Sequence, residues 1–533
     1  MGRTQLFLAL VRALKLAVLC EAKRISIPEG LERIAEAQWT RRRFLTTAVG
    51  VTAGTTLGAL LPEMPALGAT TPRVVIVGAG CAGLTCAYRL QQAGESARLI
   101  EAGTRVGGRM YSLRGVFPEG QMAELGGEFI DTSHHSLLRL VRELGLTLVD
   151  LHQADGNLTP VFFFANRRVL ANEVIEAFRP VAKRVRTDLA ALVGDHTVTY
   201  RHPHHGKALD HLSLAEWLET REVPDPVRSL LEIAYVGEFG LEADEQSALN
   251  LLLMIGTELG SFELFGESDE RFHVAEGSDS VTTRLAERLK RPVELETRLE
   301  AIRRRQTGTY ILTVNQAGTI RDIAADKVIL TLPFTLLRQV DLRRVELPPV
   351  KRLAIDTLGY GTHTKVIAGF TRRVWQDTGS NGSSVADLPY QGSWETSRGQ
   401  GGTHGILTNF VGGKRGIALG KGTPEGQAAE FVSQLDAVFP GAALAYTKQA
   451  VRFHWPSAPL FQGSYACYRP GQYTTIAGAE MEAVGGLHFA GEHTSLNFQG
   501  FMNGASESGE RAAREVLANL GTKRPRPQLT PST

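Results

Sequence analysis

The sequence predicts an α/β protein, and three observations lead to that class. The β-branched run Arg73-Val74-Val75-Ile76-Val77 passes straight into Gly78-Ala79-Gly80-Cys81-Ala82-Gly83 and then into a helical pattern through Leu84, Ala87 and Leu90. A second short strand, Ala97-Arg98-Leu99-Ile100, ends on the acid Glu101. Near the far end of the chain, Leu487 to Ala513 repeats the order of strand, acid, glycine turn and helix. The first two describe a Rossmann-like dinucleotide-binding unit, and the third shows a similar order of elements at the far end of the chain.

Each element has a physical reason. Four consecutive β-branched residues suit a strand buried on both faces of a parallel sheet. Gly78 permits the tight turn, Gly80 lets the backbone approach a pyrophosphate, and Gly83 lets the helix pack close to the strand; the phosphates then sit on the helix N-terminus, beside Ala82. Glu101 falls where an acid accepts hydrogen bonds from the ribose hydroxyls of an adenosine. The continuation Ala102-Gly103-Thr104-Arg105-Val106-Gly107-Gly108-Arg109 offers a close backbone approach together with arginine cations for the pyrophosphate. A glycine turn alone is weak evidence for a dinucleotide, whereas the ordered set of strand, glycines, helix, strand and acid is strong.

Composition sets the bounds around this motif. A chain of 533 residues with 43% apolar content has material for two or more domains. Its 58 basic and 56 acidic residues are interspersed, which excludes a broad electrostatic footprint for nucleic acid. Four cysteines do not make a disulfide framework, and Cys81 and Cys86 have neither zinc-ligand nor redox spacing. His202, His204, His205 and His211 read as a polar loop, so no metal is expected.

Residues 1–69 differ from the rest and read as a leader. Thr40-Arg41-Arg42-Arg43-Phe44-Leu45-Thr46, an apolar run from Ala48 to Leu61, and Pro65-Ala66-Leu67-Gly68-Ala69 resemble a twin-arginine export signal with its cleavage region. The mature chain is therefore expected to begin near Thr70 and to reach the periplasm or the cell exterior through the twin-arginine export machinery. The amphipathic stretch Leu6 to Leu19 reads alternatively as a membrane-surface helix. No later run is long and apolar enough for a membrane span.

Two long segments follow the dinucleotide motif. Residues 136–265 show helical periodicity at Leu137, Leu140, Val141 and Leu144, and again at Leu214, Trp217 and Leu218, and read as a helical lobe. Residues 346–450 mix alternating strands with glycine-rich turns and read as an antiparallel sheet roofing the cofactor. Residues 521–533, rich in proline and basic residues, read as a disordered tail.

These motifs resemble the flavin amine oxidase family, which includes monoamine oxidases, polyamine oxidases and L-amino acid oxidases. The resemblance rests on Glu101 to Arg109, on Glu124-Leu125-Gly126-Gly127-Glu128-Phe129-Ile130, on Leu487-His488-Phe489-Ala490-Gly491-Glu492-His493-Thr494, on Gly500-Phe501-Met502-Asn503-Gly504-Ala505 and on Ser508 to Ala513. It implies a discontinuous FAD-binding domain of the glutathione-reductase type, built from residues 70–135, 266–345 and 451–520 and joined to a mixed substrate domain. Carried onto this chain, it puts Gly126, Gly127 and Glu128 beside the flavin ring and has Leu299 offer backbone hydrogen bonds to adenine. Gly491 and Glu492 contact the ribityl-pyrophosphate region, and Gly500, Phe501 and Met502 bring the start of the last helix to the flavin carbonyls.

The same resemblance supplies a reacting face. Lys365, in Gly361-Thr362-His363-Thr364-Lys365-Val366-Ile367, resembles the buried lysine that holds a water against flavin N5; a lysine buried in a strand is a functional suspect in its own right. Tyr465 and Phe501 match the two aromatic residues that flank the amine in monoamine oxidases. Ser464 stands where animal monoamine oxidases carry a cysteinyl flavin link, so FAD is expected to be held non-covalently.

The implied chemistry is oxidation at a CH–NH2 or CH–NH group with Lys365, Tyr465 and Phe501 as the catalytic set. Hydride passes to the flavin, the imine is hydrolysed to an aldehyde or keto acid and ammonia, and O2 becomes hydrogen peroxide. An amine is favoured over an amino acid, because Phe129 replaces the arginine that holds the substrate carboxylate in snake-venom-type L-amino acid oxidases. Arg139 is a candidate substitute for it, and Glu128 and Asp131 are candidates for the distal cation of a diamine or a basic amino acid. A carbon–carbon desaturase and a non-catalytic flavoprotein are the competing readings, and a homodimer is compatible with the sequence.

Overall fold

The computed structural model describes residues 73–192, 198–255 and 269–520, together with 14, 16–18, 20, 21 and 23–31. The twin-arginine motif, the cleavage region ending at Ala69 and the tail 521–533 lie outside the described residues. At the centre is a four-stranded parallel sheet in the order Leu487–Phe489, Lys327–Leu330, Val74–Val77, Ala97–Ile100. The β-branched strand is interior and buried at every position, as a strand covered on both faces must be.

On one face, the helix Cys81–Gln92 packs against the last helix, Met502–Asn519. Their approach is close enough that a Cβ on Gly509 would lie 2.3 Å from the Ala82 carbonyl oxygen. Arg89 and Glu510, 421 positions apart, pair across this contact at 2.9 Å. The other face shares a core with a second sheet in the order Thr319–Ala325, Tyr310–Gln316, Thr297–Arg304, Asp341–Arg344.

The substrate side is a seven-stranded sheet in the order Tyr446–His454, Thr364–Phe370, Gly405–Val411, Gly392–Glu395, Ser380–Ala386, Thr159–Phe164, Arg167–Val169. Two of these strands come from the segment read as helical, and one of them pairs in parallel with Ser380–Ala386, so the sheet is mixed. The physical reason is local. Val161, Phe162 and Phe163 are buried, and Ala165 and Asn166, at φ +50° and +58°, form the two-residue turn that closes a hairpin.

Beyond the hairpin the lobe is helical, with Ala171–Ala191, Leu214–Thr220, Asp225–Phe239 and Leu249–Ile255 around one core. Leu14, Leu16, Ala17, Val18 and Cys20 are buried in that same core, against Phe178, Val181 and Val185. The Ile25 carbonyl accepts a 3.2 Å hydrogen bond from Arg179. Where it is described, the stretch read as a membrane-surface helix or a detached leader is thus an interior element of the lobe. Among the described residues, no helix is long and apolar enough to cross a membrane.

Candidate active site

Ligands of open α/β sheets bind at the carboxyl ends of the strands, and here those ends open into a cleft. Gly78, Gly80, Ala82, Glu101, Ala102, Gly108 and Arg109 line one part of it. Gly491, Glu492, Gly500, Phe501, Met502 and Tyr465 line the other. Gly83, Arg105, Gly126, Gly127, Glu128, Leu299 and Lys365 do not line the cleft, and each has a distinct place.

Gly83 is a packing position, since a Cβ there would lie 2.0 Å from the Gly78 carbonyl oxygen. Arg105 serves its own loop: its guanidinium donates to the carbonyls of Val106 (3.0 Å), Gly108 (2.7 Å) and Met110 (3.3 Å) and lies over the Tyr111 ring at 3.8 Å. It shapes the turn that carries Gly108. Leu299 pairs with Val314 in the second sheet, its side chain in the core. Gly126 and Gly127 run against Arg109, whose carbonyl accepts from the Gly127 amide at 3.0 Å.

The residues present fit a dinucleotide. Two helices begin at the cleft, at Cys81 and at Met502, and neither has a side-chain cap or an acid in its first turn. Unpaired N–H groups and the positive end of the helix dipole therefore face the empty space at two places. Between them, a Cβ on Gly80 would meet only the Gly108 Cα, at 4.0 Å, which leaves room for a ligand along the backbone. Glu101 fixes the turn by accepting from the Ala79 and Gly103 amides, both at 2.8 Å. Glu492 pairs with Arg109 (2.8 Å) and accepts from the Gly500 amide (2.8 Å). Burial alone would raise its carboxyl, but Arg109, His493 and the Gly500 amide outweigh it and hold the group below the usual carboxylate range.

In front of this site stands an aromatic wall. The Tyr465 hydroxyl donates to the Glu238 carbonyl, and its ring stacks on His363 at 4.9 Å. His363 lies flat on Phe410 (4.3 Å, 6°), and Trp394 and Phe129 continue the series at 5.5 and 5.7 Å. His363 Nε2 faces the Gly237 carbonyl at 3.0 Å, so the ring proton lies there and Nδ1 accepts from the Ser464 hydroxyl at 2.6 Å. Burial pushes this imidazole down to about 3, which keeps it neutral. Phe501 meets His134 edge-on at 4.9 Å.

Lys365 is buried in a strand with no exposed position. Its ammonium donates to the carbonyls of Glu124 (2.8 Å) and Gly126 (2.9 Å) and pairs with Glu128 at 3.3 Å. The Glu128 carboxylate also accepts from Trp394 Nε1 (3.0 Å) and from the Thr396 hydroxyl. Asp131 is engaged by His134 (3.2 Å) and the Glu270 amide (2.8 Å), and Arg139 pairs with Glu510 of the last helix at 2.7 Å. The three side chains considered for a substrate carboxylate or distal cation are therefore occupied within the protein.

Sequence reasoning missed Thr331, Leu332 and Pro333, which line the cleft, and His363, Trp394 and Thr396, which organise the wall. The first three had a signal, because they follow the parallel strand Lys327–Leu330 at its carboxyl end. Trp394 and Thr396 had none, since only the sheet register brings them to Glu128.

The glycine turn at the head of the parallel sheet, two uncapped helix starts and the rings of Tyr465 and Phe501 line one cleft, the layout of a cofactor-dependent oxidoreductase. The family model described as flavin containing amine oxidoreductase matches residues 81–517, well over half of the sequence, and the chain belongs to that family. It is a flavin-containing oxidoreductase acting on amines or amino acids. An L-amino-acid oxidase of Siganus canaliculatus is 26% identical over 85% of this chain and 87% of its own length. A flavin-containing amine oxidase of Danio rerio is 24% identical over 84% and 86%. Among solved structures, cyclohexylamine oxidase from Brevibacterium oxydans IH-35A superposes with a TM-score of 0.74 at 23% identity, covering 85% of this chain and 100% of that one. Wild-type putrescine oxidase bound to putrescine gives 0.72 at 24%, covering 84% and 99%. These two share the fold.

Proposed function

We propose that this chain is an FAD-dependent amine oxidase that converts a primary or secondary amine to an imine, with O2 as the electron acceptor. The observation that carries this reading is that Tyr465 and Phe501 line the same cleft as the glycine turn 78–83. FAD, when bound, supplies the two-electron oxidation and the return of those electrons to oxygen as hydrogen peroxide.

The chain's residues do the rest. Gly78, Gly80 and Ala82, with the start of the helix Cys81–Gln92, hold the pyrophosphate, and Glu101 and Ala102 hold the ribose. The Leu299 backbone serves adenine, while Gly83, Arg105 and Gly108 keep the turns in shape. Arg109, Gly491 and Glu492 flank the ribityl chain. Gly126, Gly127 and Glu128 back the ring, and Gly500 with Met502 presents the second helix start to it. Tyr465 and Phe501 orient the amine and exclude water, and Lys365 holds a water beside the ring. A Ser464 hydroxyl turned to His363 Nδ1 supports a cofactor held non-covalently.

The second reading, an L-amino-acid oxidase, is favoured by the relative from Siganus canaliculatus. One experiment separates the two: the absorbance spectrum of the purified protein, followed by peroxide and ammonia release across aromatic monoamines, diamines, polyamines and L-amino acids. Turnover of amines alone supports the first reading and turnover of L-amino acids alone the second. A yellow protein that releases no ammonia from any of them sinks both. Export through the twin-arginine route belongs to the same proposal. The buried Leu14, Leu16, Ala17, Val18 and Cys20 argue for a leader that stays attached, which the intact mass of the exported protein tests.

A further inference from the structure

We propose that Glu128 is a positioning residue for Lys365, holding one ammonium proton in reserve and releasing it to the water on the reacting face. The inference rests on the reading that the cleft holds FAD and that Lys365 works beside it. A lysine ammonium has three protons and no acceptor. Here all three are assigned, to the Glu124 carbonyl at 2.8 Å, the Gly126 carbonyl at 2.9 Å and Glu128 Oε2 at 3.3 Å. A water that accepts from Lys365 must therefore displace one of these partners. The longest of the three contacts, and the only one to a side chain, is Glu128.

The carboxylate is built to tolerate that exchange. Oε2 keeps the 3.0 Å bond from Trp394 Nε1, and Oε1 keeps the Thr396 hydroxyl. Removing the lysine proton leaves neither oxygen without a donor, so the penalty for a buried unsatisfied acceptor does not arise. The Gly126 carbonyl accepts from no other donor among the described residues, the Glu124 carbonyl makes the shortest of the three contacts, and a buried carbonyl that loses its donor is costly. The ion pair also survives the exchange as a charge pair. Both side chains are 3% exposed, and among the described residues this is the one ion pair Lys365 makes. Trp394 lies 5.0 Å below the ammonium and is itself part of the aromatic wall, so one carboxylate ties the wall to the lysine.

The test compares Glu128→Gln, Lys365→Met and the double variant as flavin-loaded proteins. The amide of Gln retains the shape but offers Lys365 a neutral, differently divided acceptor. Without substrate, the visible flavin spectrum of Glu128→Gln is expected to move toward that of Lys365→Met, and the double variant to coincide with Lys365→Met. After anaerobic reduction, reoxidation by O2 is expected to slow about tenfold in Glu128→Gln, with no further loss in the double variant, because the two residues act as a unit. A Glu128→Gln spectrum and reoxidation rate equal to wild type overturn the proposal, as do effects that multiply in the double variant. If Glu128→Gln takes up no flavin, Thr396→Val decides: a smaller shift in the same direction supports the proposal, and wild-type behaviour overturns it. A wild-type protein without flavin would instead overturn the cofactor reading.

Discussion

Around Gly78 the site is made of backbone. Glycines set the distances, helix starts supply the donors, and the nearest side chains, Glu101 and Glu492, are tied to main-chain amides. Around Lys365 it is made of side chains from three separate stretches of chain, with Glu128, Trp394, Thr396 and His363 meeting only in the folded sheet. The first kind of site fails when atoms are added and the second when they are removed. Local sequence specifies the first, and long-range register specifies the second.

The largest effect should come from adding one methyl group. In Gly83→Ala the new carbon would sit 2.0 Å from a backbone oxygen, so destabilisation of about 3 kcal/mol is expected, a fall of roughly 3 °C in melting temperature for a chain of this size. Gly80→Val meets open space instead and should melt like the flavin-free wild type while staying colourless. If the two variants behave alike, the distinction between a packing glycine and a ligand-facing glycine is wrong.

On the other side, His363→Phe keeps the ring stack but leaves the Ser464 hydroxyl and the Gly237 carbonyl without their partner, at about 1–3 kcal/mol each. KM for the amine should rise about tenfold through loss of Tyr465 positioning, with the flavin spectrum retained. An unchanged KM removes His363 from the wall.

A smaller effect appears with pH. Burial pushes His363 and His493 down to about 3, whereas unfolded histidines take up protons below about 6.5. Between those values the unfolded chain binds more protons, so these two groups lower stability as pH falls from about 6.5 toward 3. Glu124 and Glu480, pushed up to about 7 mainly by burial, act oppositely over the range from 4.5 to 7. The histidine contribution is therefore read as a difference: the melting temperature of flavin-free His493→Phe should depend less on acid pH than that of the wild type. The smallest effect is expected for Arg139→Ala, where a half-exposed ion pair on the last helix is lost and turnover should stay within about twofold for every substrate. A large loss confined to amino acids would make Arg139 a carboxylate anchor after all.

The same contrast explains what could be read in advance. The glycine turn, Glu101 and the first helix start could be placed at one site from sequence because the pattern that marks them lies within a few residues of chain, whereas Glu492 and the second helix start came through the resemblance. Tyr465 and Phe501 were legible only through the resemblance, since an isolated aromatic residue looks like core. The hairpin 159–169 was hidden because a run of phenylalanines fits a buried helix as well as a strand, and the positive φ at Ala165 follows from the turn and not from the residue. The partners of Lys365 were hidden because register is set by the whole sheet.

The pairing of the first and last helices has a consequence for how the protein is made. Arg89 waits for Glu510, and the helix start at Met502 is half of the cleft. At roughly 5–20 residues per second the ribosome needs about 20–80 s to cover the 421 positions between that arginine and that glutamate. Through that interval the nascent glycine turn has no second wall, and a flavin that arrives early has nothing to close over it. On the reading that the cleft holds flavin, loading is expected to follow synthesis of the last helix.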